Sequence, residues 1–167
     1  MAGSGVIGLE ILDDLPDVAP VVAPWGGDGL CCGIALALKA LLAGIKVYAS
    51  EIDTGAPLSP SLAAGRPIEV PYAPSFADGI GSPFVNAEMF GLARRVVGLA
   101  IVVSREQAAA TARLIVARTG VVPEGAAAPA VAALTARAGD GPIACVVSGG
   151  NVDPRTLVTI LRGGTSP

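Results

Sequence analysis

Short runs of β-branched apolar residues alternate along this chain with longer segments rich in Ala and Leu. The short runs have the length and composition of buried strands, which we predict over Val18 to Ala23, Lys46 to Ser50, Leu99 to Val103 and Ile143 to Val147. The longer segments have helical length and cover Gly5 to Leu15, Leu30 to Leu42, Ala87 to Val97, Arg105 to Thr119 and Ala126 to Ala138. Because strand and helix alternate, we predict an α/β fold of three layers, with helices on both faces of a mostly parallel, twisted sheet.

The segment from Ile52 to Phe84 interrupts this alternation. It is rich in Pro, Gly and Ser, which favour turns, so we expect a long irregular excursion with one short helix at Ser59 to Ala64. Long loops of this kind are often functional. Since 167 residues is an ordinary domain size, we expect residues 1–167 to form a single domain.

Composition and charge exclude several classes of protein. The sequence is 52% hydrophobic and 15% charged, which indicates a folded chain with apolar surface to spare for another domain or subunit. Its apolar runs stay shorter than the roughly 18 residues needed to cross a bilayer, and its N-terminus does not resemble a secretory signal, so we expect no membrane association and a cytoplasmic location. A net charge of −3 without a basic stripe argues against nucleic-acid binding.

A glycine-rich loop follows the first predicted strand and leads into a helix. The stretch reads Gly26-Gly27-Asp28-Gly29-Leu30. Backbone N–H groups in such a loop can converge on an anion, and the positive helix N-terminus adds to the attraction. The loop therefore indicates a phosphate cradle, although the same glycines could serve only as a tight turn. It matches neither the dinucleotide nor the nucleoside-triphosphate glycine motif.

A second glycine turn, Ser148-Gly149-Gly150-Asn151, follows the last predicted strand. Ligands of open parallel sheets bind at the carboxyl ends of the strands, so we expect both loops to face one crevice.

Together these stretches resemble the fold-type II pyridoxal-phosphate enzymes, and the threonine/serine dehydratases (ammonia-lyases) most closely. The glycine loop and its helix are similar to the phosphate loop of that family. Further similar motifs occur in the expected order at Gly5 to Ile11, Ser61 to Pro67, Ala77 to Ile80, Glu124 to Ala126 and Ser148 to Asn151. The resemblance implies most of the large domain of the tryptophan-synthase-β-like fold.

The resemblance also implies roles for individual residues. The backbone of Gly26, Gly27, Asp28, Gly29 and Leu30 would hold the phosphate of pyridoxal 5'-phosphate. The hydroxyl of Ser148, next to Gly149, would hydrogen-bond the pyridine nitrogen, which suits β-elimination. Glu124 would lie near the cofactor or the substrate. The plainer alternatives are a turn serine at 148 and an ordinary helix-start carboxylate at 124.

A divalent cation is a further expectation from related racemases. Glu51 matches the first carboxylate of their metal site and Gly55 could offer a backbone carbonyl, whereas Pro57 stands where an Asp is expected. Hard cations need several oxygen ligands, so this set is incomplete.

Two departures from the family pattern bear on function. Asp28 replaces a loop glycine and brings a negative charge to an anion site. The Schiff-base lysine of the family has no counterpart, because Lys39 and Lys46 are the only lysines and neither matches. We therefore expect the C-terminal part of such an enzyme without its catalytic N-terminal half.

The expected function is dehydration and deamination of L-threonine or L-serine to a 2-oxo acid and ammonia, with this chain inactive alone. It would act on a small amino acid and would form a homo-oligomer or pair with an N-terminal half. The alternatives are a non-catalytic pyridoxal-phosphate-binding fragment, another activity of the family (serine racemase, cysteine synthase or threonine synthase), or nucleotide binding with Glu51 holding a ribose.

Overall fold

The structure is a computed structural model that describes residues 2–27, 29–135 and 141–165. In these residues the backbone forms one sheet of four parallel strands: β1 (Pro20–Pro24), β2 (Lys46–Ile52), β3 (Leu99–Val103) and β4 (Ala144–Cys145). The spatial order is β3-β2-β1-β4. All three pairings are parallel, with Val21 opposite both Val47 and Ala144.

Helices connect and flank these strands. They are α1 (Ala2–Asp14), α2 (Gly29–Leu41), α3 (Leu58–Ala64), α4 (Ala87–Val96), α5 (Arg105–Thr119), α6 (Ala128–Ala132) with a 3-10 turn at Ala133–Thr135, and α7 (Pro154–Leu161).

The two faces of the sheet carry separate apolar cores, which makes three layers. Side chains alternate along each strand, so Val21 and Ala23 of β1 pack with α1, α2 and α4, whereas Val22 packs on the opposite face with α5, α6 and α7. The predicted α/β fold with helices on both faces of a parallel sheet is therefore confirmed.

Most element boundaries agree with the sequence pattern, and four elements differ. α1 begins at Ala2 rather than Gly5, and β4 covers only Ala144–Cys145 of the predicted Ile143 to Val147, because it pairs with only two residues of β1. α5 begins and ends as predicted. Its start is fixed because the Ser104 side chain accepts from the Gln107 N–H and the Gln107 side chain accepts from the Ser104 N–H. The helix predicted at Ala126 to Ala138 is shorter, since α6 begins at Ala128; residues 136–140 of that prediction lie outside the described part of the chain. Helix α7 was not predicted.

The segment between β2 and α4 is irregular apart from α3, and a buried carboxylate anchors it to the sheet. Glu51 of β2 is 1% exposed, and its two oxygens accept the N–H groups of Leu58 and Ser59 at 2.7 and 2.8 Å. Pro57, at the N-cap of α3, offers no side-chain hydrogen bond. Glu51 therefore caps α3 from a neighbouring strand, and its charge is stabilised by the helix N-terminus.

No helix in the described ranges is both long enough and apolar enough to cross a bilayer.

We expect Glu51→Ala to lower the free energy of unfolding by about 2–3 kcal/mol, because it leaves two helix-start N–H groups without their charged acceptor. Glu51→Gln, which keeps one acceptor oxygen, should cost less. Urea unfolding measures both, with Glu69→Ala in the exposed part of the excursion as the control. Equal stability of the Glu51→Ala and Glu69→Ala proteins would contradict the capping role.

Candidate functional site

The order in which strands are added to the sheet changes sides at β1. Strands β1, β2 and β3 follow one another outward in one direction, and the chain then crosses the opposite face through α5 and α6 to place β4 on the other side of β1. The loops that leave β1 and β4 therefore diverge, and a crevice opens at the carboxyl ends of these two strands. Such switch points are where open α/β sheets bind ligands.

Backbone contacts fix the glycine loop after β1. The Trp25 N–H donates to the Ser50 carbonyl at 2.9 Å, which extends the pairing with β2 by one residue. A Cβ added at Gly26 would lie 2.4 Å from the carbonyl oxygen of Gly79, so the loop backbone packs directly on the turn at Gly79 and Ile80. Added Cβ atoms at Gly27 and Gly29 would meet nothing within 4 Å. The loop is thus backed on one side by protein and open beyond Gly27.

The turn after β4 is joined to the segment that precedes α6. The Val146 N–H donates to the Val22 carbonyl at 2.9 Å, and the Glu124 N–H donates to the Gly149 carbonyl at 2.9 Å. The Glu124 carboxylate occupies the space beside Gly149, since an added Cβ there would lie 2.5 to 2.6 Å from its carbon and both oxygens. Only glycine at position 149 leaves room for this carboxylate.

Both loops line one cleft of about 260 Å³. Its walls come from the start of α1, the end of β1, the glycine loop, the 79–80 turn, the segment before α6 and the turn after β4. The lining residues are Ser4, Pro24, Gly26, Gly27, Gly29, Leu30, Gly79, Ile80, Glu124, Ala126 and Ser148. The expectation that the two loops face one crevice agrees with this arrangement.

The structure brings together most of the residues singled out from the sequence. Gly149 lies against the Glu124 carboxylate and does not line the cleft. Asp28 lies outside the described residues. Sequence reasoning missed the walls formed by Ser4 and Ile80. The motif Ala77 to Ile80 carried a signal for the second of these, whereas nothing in the sequence distinguished Ser4.

The described lining of the cleft offers several kinds of polar group. Helix α2 begins at Gly29, so its positive N-terminus faces the cleft beside the glycine loop. The exposed hydroxyl of Ser148 can donate or accept one hydrogen bond across the cleft. Glu124, a partly buried residue of the same lining, adds a carboxylate.

The structure gives no support to a metal at Glu51 and Gly55. Both oxygens of Glu51 already accept N–H groups of α3, and the Tyr72 ring packs against Gly55, where an added Cβ would lie 2.8 Å from its Cδ2. Within the described ranges no group of three or more His, Cys, Asp or Glu side chains could hold a metal ion. Glu51 matches the metal pattern by residue type and position alone. In the structure the same carboxylate caps a helix.

Neither lysine of the chain lies near the cleft. Lys39 is in the last turn of α2, where its ammonium donates to the Ile45 carbonyl at 3.1 Å, and Lys46 opens β2. Both positions are at the amino ends of the parallel strands, whereas the cleft is at their carboxyl ends.

Comparison with known proteins identifies the family of the chain. The profile of the family described as "pyridoxal-phosphate dependent enzyme" matches residues 1–149. The chain belongs to this family. It is 36% identical over 167 residues to an L-threonine ammonia-lyase of Geobacter sulfurreducens, an alignment that covers 98% of this chain and 42% of that protein.

Solved structures agree with the family and with the fold. A threonine deaminase from T.th. superposes with a TM-score of 0.83 at 33% identity, covering 90% of this chain and 58% of that one. Maize serine racemase superposes with a TM-score of 0.86 at 29% identity, covering 96% of this chain and 51% of the racemase. The fold is therefore that of the fold-type II pyridoxal-phosphate enzymes, the tryptophan-synthase-β-like fold.

The chain spans about half the length, or less, of the curated relatives it matches. The shares are 42% of the Geobacter protein, 41% of a Thermotoga maritima L-threonine ammonia-lyase and 51% of a Sinorhizobium fredii protein described as a putative threonine dehydratase.

We expect Gly26→Ala to lower the free energy of unfolding by about 1–3 kcal/mol, because the new methyl group meets the Gly79 carbonyl. Gly27→Ala is the matched control, since its methyl group points into open space and its backbone has no positive φ. Its stability should stay the same or rise by up to about 1 kcal/mol. Urea unfolding measures the free energy of unfolding of both variants. A similar loss of stability in both would contradict the described packing.

The thiol of Cys145, in β4 beside the cleft, should react slowly. Burial raises its pKa to about 11, so it stays protonated at neutral pH. We expect iodoacetamide to alkylate Cys145 at pH 8 at least about tenfold more slowly than glutathione, with a rate that keeps rising beyond about pH 10, because the thiolate is the nucleophile. Peptide mapping by mass spectrometry measures this rate, and a plateau by about pH 10 would show that the pKa is ordinary.

Proposed function

We propose that this chain supplies the pyridoxal-phosphate cradle of a threonine/serine dehydratase. The observation that carries the proposal is the single cleft at the β1/β4 switch point, lined by the glycine loop, Glu124 and Ser148. Family membership supports the cofactor, and the names of the relatives support the reaction class.

The glycine loop is proposed to hold the cofactor phosphate. The Gly29 N–H already donates to the Gly27 carbonyl at 2.8 Å, so the attraction for a dianion comes from the other loop N–H groups and the positive end of α2. The missing side chains of Gly27 and Gly29 leave room for close approach. The cleft volume of about 260 Å³ is adequate for one small ring with its phosphate. The residues present therefore fit the group.

Ser148 is proposed to hydrogen-bond the pyridine nitrogen. A neutral hydroxyl leaves that nitrogen largely unprotonated, in contrast to a carboxylate partner, and so moderates the ring as an electron sink. When bound, the cofactor supplies the electron-withdrawing ring that makes loss of the substrate α-proton feasible. Ser148 in this role favours elimination over transamination.

Glu124 is proposed to stand at the side of the ring. Its carboxylate rests on Gly149 and its backbone is hydrogen-bonded to the same residue, so the turn that carries Ser148 and the carboxylate are positioned together. A fixed negative group here can orient a cationic part of the cofactor or the substrate.

The proposed overall reaction eliminates water from L-threonine or L-serine and then hydrolyses the resulting imine, which takes up one water, releases ammonia and leaves a 2-oxo acid. The net change is the loss of ammonia. Such enzymes hold the cofactor covalently through a lysine, and both lysines of this chain lie at the far end of the sheet. We infer that the chain alone is inactive, and that it forms a homo-oligomer or pairs with a segment or polypeptide that carries the lysine. We also infer a cytoplasmic location.

Two other functions are kept as candidates. The chain is a non-catalytic pyridoxal-phosphate-binding fragment if no partner restores turnover. Serine racemization is favoured by the superposition on maize serine racemase. Assembly with a lysine-bearing partner, followed by separate assays of 2-oxobutanoate from L-threonine and D-serine from L-serine, distinguishes the three.

Binding of the cofactor tests the proposal without any turnover. Trp25, the one tryptophan of the sequence, is 3% exposed and directly precedes Gly26, so its fluorescence reports on the cleft. We expect pyridoxal 5'-phosphate to quench it saturably, pyridoxal to bind at least about tenfold more weakly, and inorganic phosphate to compete, because the cradle recognises the phosphate. Equal affinity for pyridoxal would contradict the assignment.

Ser148→Ala tests the proposed hydrogen bond of Ser148 separately from phosphate binding by the glycine loop. It should weaken binding of pyridoxal 5'-phosphate while leaving competition by inorganic phosphate unchanged, and Ser59→Ala in α3 should change neither. Purified chain that produces 2-oxobutanoate from L-threonine without a partner would overturn the inferred inactivity.

A further inference from the structure

A second cleft, of about 300 Å³, lies beyond the carboxyl ends of β2 and β3. Asp53 follows β2 and Arg105 follows β3, and the segment from Pro71 to Ala73 forms the remaining wall together with Thr54. None of these residues lines the cleft at the β1/β4 switch point. The second cleft is therefore separate from the proposed cofactor site.

Hydrogen bonds hold the wall of this second cleft in place. The Ala73 N–H donates to the Thr54 carbonyl at 2.8 Å, and the hydroxyls of Thr54 and Ser75 are 3.3 Å apart. The Tyr72 ring is 47% exposed, yet it packs against the backbone of Gly55. The aromatic ring is thus presented to the cleft by an ordered loop.

The two charged side chains of the cleft come from neighbouring strands. The Asp53 N–H donates to the Val103 carbonyl at 3.0 Å, which continues the β2/β3 pairing and brings Asp53 next to the chain that leads into Arg105. Asp53 is exposed, whereas Arg105 is partly buried.

Arg105 carries an unmet hydrogen-bonding requirement. Its Nε is buried and has no hydrogen-bond partner among the described residues. A buried donor without an acceptor is unfavourable. Because Nε has no accessible surface, a ligand in the cleft would meet the terminal N–H groups of the same guanidinium. A guanidinium pairs best with a planar carboxylate, which can take two parallel N–H groups.

We propose that this cleft binds a free aliphatic α-amino acid, with its carboxylate at Arg105, its ammonium at Asp53 and its side chain on Pro71 and Tyr72. A simple anion would be repelled by Asp53 and a simple cation by Arg105, whereas a zwitterion satisfies both. The cleft has the volume of a small-ligand site rather than of a nucleotide or peptide site. It shares no lining residue with the proposed cofactor cleft.

Calorimetric titration with L-leucine tests this proposal, with no pyridoxal phosphate present. We expect a dissociation constant of about 1 mM or lower. The matched probes 4-methylpentanoate and 3-methylbutylamine each lack one of the two charges, and each should bind at least about tenfold more weakly. No measurable binding of L-leucine, or equal binding of either matched probe, would overturn the proposal.

Substitutions locate the binding. Arg105→Gln and Asp53→Asn should each weaken L-leucine binding about tenfold or more, whereas Arg95→Gln and Asp17→Asn, at exposed positions elsewhere, should leave it unchanged. Should Arg105→Gln unfold the protein, Arg105→Lys keeps the charge, removes the planar pair of N–H donors and should also weaken binding. Unchanged affinity in the folded Asp53 and Arg105 variants would place L-leucine elsewhere and refute the site.

Discussion

The parallel pairing of β4 with β1 is the constraint on which the proposed cofactor cleft depends. That pairing is short, with Val21 and Val22 opposite Ala144 and Cys145, and one further hydrogen bond from Val146 to Val22. It brings the exits of two strands, which are more than a hundred residues apart in sequence, to neighbouring positions on one edge of the sheet. Without it the glycine loop would remain, but the hydroxyl of Ser148 would have no fixed relation to it.

Close backbone contact then turns this topology into a shaped site. Gly26 rests on the carbonyl of Gly79, and Gly149 accommodates the Glu124 carboxylate, so the walls meet at distances that no side chain would allow. The glycines of the cleft therefore have two different functions. Some remove side chains so that protein segments can touch, whereas Gly27 and Gly29 leave open space for a ligand.

The sequence predicted the layers and the cleft well because both depend on local signals. Apolar runs marked the strands within a few residues, and loops after parallel strands share an edge by geometry. The sequence did not reveal which carboxylate would meet which helix. Glu51 matched a metal pattern, but its partners at Leu58 and Ser59 depend on how the excursion folds back. Helix α7 was missed although Asp153 and Pro154 form a common helix start, in which the Asp side chain accepts the N–H groups of Arg155 and Thr156.

The packing of the excursion between β2 and α4 has a consequence for how this family can vary. Its inner end is held by glycine contacts, since Gly125 lies directly against the Phe76 carbonyl and Gly26 against that of Gly79. Its stretch from 63 to 67 is exposed to solvent. Insertions and deletions are therefore compatible with the outer stretch, whereas a change of one residue in length between Phe76 and Gly79 would move a wall of the cofactor cleft.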